Sequence, residues 1–255
     1  MRWNCIGQSV AGSSHISSGR PCEDALSYEV ITAADSPETL IVCVCDGAGS
    51  ALRGGEAAAS VAKSIVEHAS KRISENEHVT EGLIQSICAA AYEELAIAAT
   101  QNDLELPEYA CTVAGAILQP DLSAFFQIGD GAIITLQPDG VYYPVWWPEN
   151  GEYLNTTNFL TDDVNLTCLK IVITETGQTQ VSIFTDGLQM LALNNELKTG
   201  HTPFFAGLFP SVVAANTREK EIILNQKLAE YLQSEVINER TDDDKTLFLA
   251  AKCMP

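Results

Sequence analysis

Three apolar runs in this chain each end at Asp-Gly. Ile41 to Cys45 precede Asp46-Gly47, Phe125 to Ile128 precede Gly129-Asp130-Gly131, and Val181 to Thr185 precede Asp186-Gly187. A fourth acidic cluster, Asp242-Asp243-Asp244, comes shortly before the last apolar run, Leu247-Phe248-Leu249-Ala250. Short apolar runs bounded by turn residues read as strands, so four strand ends carry carboxylates. A fold that gathers four such ends has collected the hard oxygen ligands that divalent cations prefer. A single Asp-Gly is only a hairpin signal, because Gly accepts positive φ and Asp bonds its own backbone. Asp130-Gly131 fits that plain reading, with strand-like sequence on both sides. After Asp46-Gly47 and Asp186-Gly187 the sequence turns helical or irregular, which a hairpin does not explain.

The remaining pattern comes in blocks. Strands are expected at 3–10, 25–33 and 39–45, the last apolar on both faces, with a polar loop from Gly12 to Asp24 between the first two. Ala-rich sequence at 54–74 and a second stretch at 80–101, opened by Thr80, read as helices. Strand signals follow at 110–118, 122–128, 132–137 and 141–146, then at 169–174 and 180–185. Helical patterns near 203–215 and 219–237 precede a closing strand at 246–251. Residues 147–168 are polar and irregular. Blocks of strands and helices without strict alternation predict an α+β fold with antiparallel sheets and outer helices. No linker-like or low-complexity tract divides the chain, so residues 1–255 are expected to form a single domain.

Net charge is −20, from 34 acidic and 14 basic residues. Such a field repels nucleic acid and anionic membranes and attracts cations, so neither is expected as a partner. With no apolar stretch long enough to span a bilayer and no signal-peptide pattern, the expected location is cytoplasmic. The eight cysteines show no Cys-x-x-Cys spacing and read as reduced, buried thiols. No Cys-x5-Arg phosphate loop occurs.

Taken in order, Glu23-Asp24, Asp46-Gly47-Ala48-Gly49, Gly129-Asp130-Gly131, Thr185-Asp186-Gly187 and Asp243-Asp244-Lys245-Thr246 resemble the motif blocks of the type-2C, metal-dependent Ser/Thr protein phosphatases. The stretch Cys111-Thr112-Val113-Ala114-Gly115-Ala116 is similar to that family's Ser-Thr-x-x-x-Gly strand entry. The resemblance runs from about residue 5 to 252. It implies an antiparallel β-sandwich flanked by helices on both outer faces. It also implies two, or with a weaker site three, Mg²⁺ or Mn²⁺ ions and hydrolysis of phosphoserine or phosphothreonine on a protein substrate. By the same resemblance Asp46 would bridge two ions with the Gly47 carbonyl as a further ligand. Glu23 would serve one side, Asp186 and Asp243 the other. Asp24 would hold a water of the cation shell, and Asp130 would stand near the additional ion. The chemistry suits these residue types: paired hard cations activate a water and clamp phosphoryl oxygens without a Cys or Ser nucleophile.

Several positions depart from the family pattern. Where many relatives carry a histidine after Asp-Gly, this chain has Ala48. The phosphate-gripping arginine, four residues before the metal-site Glu in relatives, is replaced by Gly19, and Arg20 is displaced by one. Arg53 is the second candidate for phosphate. His15, in the polar loop, is a candidate acid or substrate contact, set against an ordinary solvated histidine. Trp146, Trp147 and Tyr153 are candidate peptide contacts or packing residues. Two other readings stay open: a non-catalytic phosphoprotein-binding relative, and an unrelated metal-dependent hydrolase of small phosphate esters.

Overall fold

A computed structural model describes residues 2–32, 37–148 and 157–253. The elements follow the apolar runs closely. They are β1 (Arg2–Val10), α1 (Ser13–Ser18), β2 (Asp24–Ile31), β3 (Thr39–Asp46), α2 (Gly54–Ser74), α3 (Glu81–Gln101), β4 (Val113–Leu118), β5 (Ser123–Ile128), β6 (Ala132–Leu136) and β7 (Tyr142–Pro144). After these come β8 (Lys170–Thr174), β9 (Gln180–Phe184), α4 (Gln189–Ala192), β10 (Leu193–Asn194), β11 (Thr199–Gly200), α5 (Thr202–Val213), α6 (Arg218–Leu232), α7 (Glu235–Asn238) and β12 (Lys245–Cys253).

Two five-stranded sheets form, in the orders β1-β12-β9-β6-β7 and β2-β3-β4-β5-β8. Every strand pairing among the described residues of these sheets is antiparallel. Alternation along β3 shows why the sequence is apolar on both faces. Leu40, Val42 and Val44 join Phe125, Ile183 and Phe248 between the sheets. Ile41, Cys43 and Cys45 point the other way, into a cluster with Ala57, Val61, Ile65, Leu83, Ile87 and Leu95 of α2 and α3. On the opposite side Phe205, Phe209, Leu228 and Leu232 of α5 and α6 cover Ile134, Phe184 and Leu249. The result is four layers, helix–sheet–sheet–helix, as expected for apolar strands buried on both faces.

Thr80 caps α3, its side chain accepting from the Leu83 N–H at 3.1 Å, and α2 runs over the full Ala-rich stretch. Two local expectations change. The polar loop from Gly12 contains a helix, α1, closed by Gly19 at φ 72°. Asp130-Gly131 is not a hairpin turn, because β5 and β6 belong to different sheets. Gly129, at φ 101°, supplies the sharp bend that carries the chain across. Trp146 packs against the inter-sheet core and Trp147 against the α5–α6 cluster, while Tyr153 lies outside the described residues.

Candidate active site

The strand directions bring every Asp-Gly end to the same edge of the sandwich. Asp24, opening β2, is the register partner of Asp46, closing β3. Asp130 follows β5, Asp186 follows β9, and Asp243 stands just before β12. Asp46, Gly47, Ala48, Asp130, Asp186 and Asp243 all line one cavity of about 220 Å³, together with His15, Thr112 and Asp244.

Close backbone approach, more than turn chemistry, explains two of the glycines. A Cβ on Gly47 would strike the backbone of Gly54 at the start of α2, and one on Gly187 would strike the Asp244 carbonyl. These contacts seat the Asp46 loop on the helix and the Asp186 loop on the segment before β12. Gly47 N–H donates to the Glu23 carbonyl at 3.1 Å and Ala48 N–H to the Ala110 carbonyl at 2.9 Å. Thr112, the residue before β4, braces Asp46: its hydroxyl accepts from Asp46 N–H at 3.0 Å.

The carboxylates sit in an environment that opposes their charge. Burial, chiefly, pushes Asp24 up to about 8, with the nearby charges of Asp244 and Asp186 adding to it. Asp46 is raised well above the usual range, first by desolvation and then by Asp24 and Asp186. Asp186 is pushed up to about 6 by burial and by Asp130 and Asp243. Asp243 is raised by partial desolvation. Thr185 Oγ1 donates to Asp24 Oδ2 at 2.7 Å and itself accepts from Thr246 N–H at 3.1 Å. The other oxygen of Asp24, and Oδ1 of Asp186, are buried without a protein partner.

Buried carboxylates that repel one another and keep unpartnered oxygens fit divalent cations, which would neutralise them. Among the described residues no three His, Cys, Asp or Glu side chains close into a ready-made cage.

The other expected residues are distributed around this centre. Glu23 is 14% exposed, and both its oxygens accept from Arg20 Nη2 at 2.7 Å. Arg20 also reaches the carbonyl of cavity-lining Gly49, at 3.4 Å. Arg53 pairs with Glu56 at 3.0 Å, half exposed, and is not among the cavity-lining residues. His15 is not a solvated loop residue: its side chain is 13% exposed and its Nδ1 lies 2.9 Å from Asp244 Oδ2. The sequence reading placed Asp244 in the closing motif and gave it no role of its own. Only tertiary packing shows that it is buried and accepts from Gly12 N–H at 2.7 Å and Glu23 N–H at 2.5 Å. Thr157 and Phe159, from the polar stretch before β8, complete the cavity wall, and Thr157 Oγ1 donates to Asp130 Oδ2 at 2.7 Å.

A family model described as protein phosphatase 2C matches residues 11–233. Serine/threonine-protein phosphatase 3 of Escherichia coli strain K12 is 37% identical over 252 residues, covering 98% of each chain. Among solved structures, serine/threonine phosphatase Stp1 from Staphylococcus aureus superposes with a TM-score of 0.62 at 16% identity, covering 99% of this chain and 96% of that one. RsbX in complex with magnesium gives 0.58 at 15%, covering 98% and 94%. The order of motifs, the four-layer fold and the end-to-end match agree: this chain belongs to the protein phosphatase 2C family of metal-dependent Ser/Thr protein phosphatases.

Proposed function

We propose that this chain removes phosphate from phosphoserine and phosphothreonine of protein substrates, as a single domain with two Mg²⁺ or Mn²⁺ ions at the acidic cavity. Asp46 would be the shared ligand and the Gly47 carbonyl a further one, with Glu23 on one side, Asp186 and Asp243 on the other, and Asp24 holding a water through its unpartnered oxygen. Asp130 would serve a further, weaker ion. When bound there, the cations supply charge neutralisation of the phosphoryl group and a water of lowered pKa. The chain's own residues do the positioning. Thr185 and Thr112 hold Asp24 and Asp46 at the sheet edge. Arg20, on the lip between Glu23 and Gly49, would exchange a carboxylate for a phosphate, a ligand that guanidinium grips equally well. Arg53, engaged with Glu56, is the weaker candidate.

The observation that carries this reading is the convergence of Asp46, Asp130, Asp186 and Asp243 on one cavity, with a buried oxygen left unpartnered on Asp186 and another on Asp24, the register partner of Asp46. The test is hydrolysis of a phosphoserine peptide and of 4-nitrophenyl phosphate with Mn²⁺, with Mg²⁺ and with excess chelator. Turnover should require the cation and return when it is restored. Full activity in excess chelator would sink the metal-dependent reading. Ala48 favours the rival, a phosphoprotein-binding relative without turnover; that rival predicts no hydrolysis of either substrate under any condition.

A further inference from the structure

We propose that His15, oriented by Asp244, donates the proton to the departing serine or threonine oxygen. This inference rests on the phosphatase reading and names a residue for the step that Ala48 cannot perform. Among the described cavity-lining residues, His15 is the sole titratable side chain that is not a carboxyl group. Asp130 Oδ2 is engaged by Thr157 Oγ1 at 2.7 Å.

The hydrogen bonds define which ring nitrogen holds the fixed proton. His15 Nδ1 lies 2.9 Å from Asp244 Oδ2 and 3.1 Å from the Pro21 carbonyl oxygen. A carbonyl oxygen can only accept, so Nδ1 carries hydrogen. Nε2 is then the atom that gains and loses a proton, as in other carboxylate–histidine pairs where the second nitrogen is set by the first. Asp244 is itself immobilised. It is 4% exposed, and main-chain N–H groups of Gly12 and Glu23 donate to its two oxygens. The helix carrying His15 is tied to the same segment, because Ser14 N–H donates to the Asp242 carbonyl at 3.0 Å. The ring is therefore tied to the segment that carries Asp243.

In the step, a water oxygen bonds to phosphorus while the bond from phosphorus to the serine or threonine oxygen breaks. The electron pair of that bond stays on the leaving oxygen, which takes the Nε2 proton of the protonated ring and departs as the alcohol. The ring is left neutral with hydrogen on Nδ1, and the proton released by the attacking water, directly or through solvent, restores it. Atoms and charge balance without another reactant.

Two measurements on the metal-loaded full chain test this. Kinetics of His15→Gln should show kcat on a phosphoserine peptide reduced about 10²–10⁴-fold, the usual worth of a general acid. The loss on 4-nitrophenyl phosphate, whose leaving group needs little protonation, should be smaller by at least about tenfold, and the dependence of rate on leaving-group pKa should steepen. Equal losses on both substrates, or none on either, would overturn the proposal. Nitrogen-15 NMR of the ring should show the neutral Nδ1–H tautomer in the native protein, shifting toward Nε2–H in Asp244→Asn. A native Nε2–H tautomer overturns it regardless of activity. A native enzyme inactive on both substrates with Mn²⁺ would sink the phosphatase reading instead.

Discussion

Asp186, a proposed cation ligand, also carries a cost in stability. Burial and the facing carboxylates of Asp130 and Asp243 oppose its ionisation, so a cation that relieves them binds against a prepaid repulsion. Asp186→Asn keeps side-chain volume and removes one charge. Without metal, the variant should melt a few degrees above the native protein, because about 1 kcal/mol moves Tm by roughly 2–4 °C in a chain of this size. With Mn²⁺ it should lose more than about tenfold in kcat, equivalent to ~1.4 kcal/mol or more of barrier. Retention of native kcat, or a lower Tm in chelator, would remove Asp186 from the ligand set. The cysteines tell the opposite story at the same scale. Burial pushes the Cys88 and Cys111 thiols well up, leaving them inert packing groups, as their spacing already suggested.

Between elements, the site depends on how closely two loops can approach. Gly187 meets the Asp244 carbonyl so tightly that no Cβ fits, and Asp244 in turn anchors the turn before β2 through Glu23 N–H. Gly187→Ala should therefore push the Asp186 loop away from the segment before β12. Overpacking of this kind costs about 1–3 kcal/mol. The expected result is a lower Tm together with weaker cation binding by calorimetry. A variant with native Tm and native cation affinity would show that the two loops are not mechanically linked. The helices, by contrast, were legible in advance. The Ala-rich stretch and the Thr80 cap predict α2 and α3 because local propensity and capping act within one turn of the chain.

For the whole molecule, the acidic edge sets how stability varies with pH. Asp24, pushed up to about 8, and Asp186, to about 6, hold protons in the folded state that the unfolded chain releases near pH 4. Between those limits the folded state binds more protons, so stability falls as pH rises. In chelator the melting temperature should drop from about pH 4 toward pH 8, and saturating Mg²⁺ should reverse the drop by mass action. A chelated protein whose Tm rises across that window would contradict the coupled cluster. The net charge of −20 adds general self-repulsion of the same sign. No helix among the described residues is long and apolar enough to cross a membrane.

Strand positions, the helix blocks, the layered α+β class and the acidic strand ends were all readable from the chain, because periodicity and capping are local properties. Asp46 and Asp186 were singled out by repetition of Asp-Gly after an apolar run, and Asp243 by the acidic cluster before the last such run. Their mutual distance was not readable, since it arises from sheet order and register, which pair Asp24 with Asp46 and bring β9 beside β12. His15 was a candidate from its loop and Asp244 stood in the closing motif, but their pairing was beyond reach for the same reason. In sequence Asp244 is one more acid in a run of three and His15 one residue in a polar loop. Only the folded chain places a carboxylate from the segment before β12 against a ring from the segment after β1 and aims that ring into the cavity. The contacts of Asp244 with Gly12, His15 and Glu23 join residues more than two hundred positions apart, and no local rule encodes those.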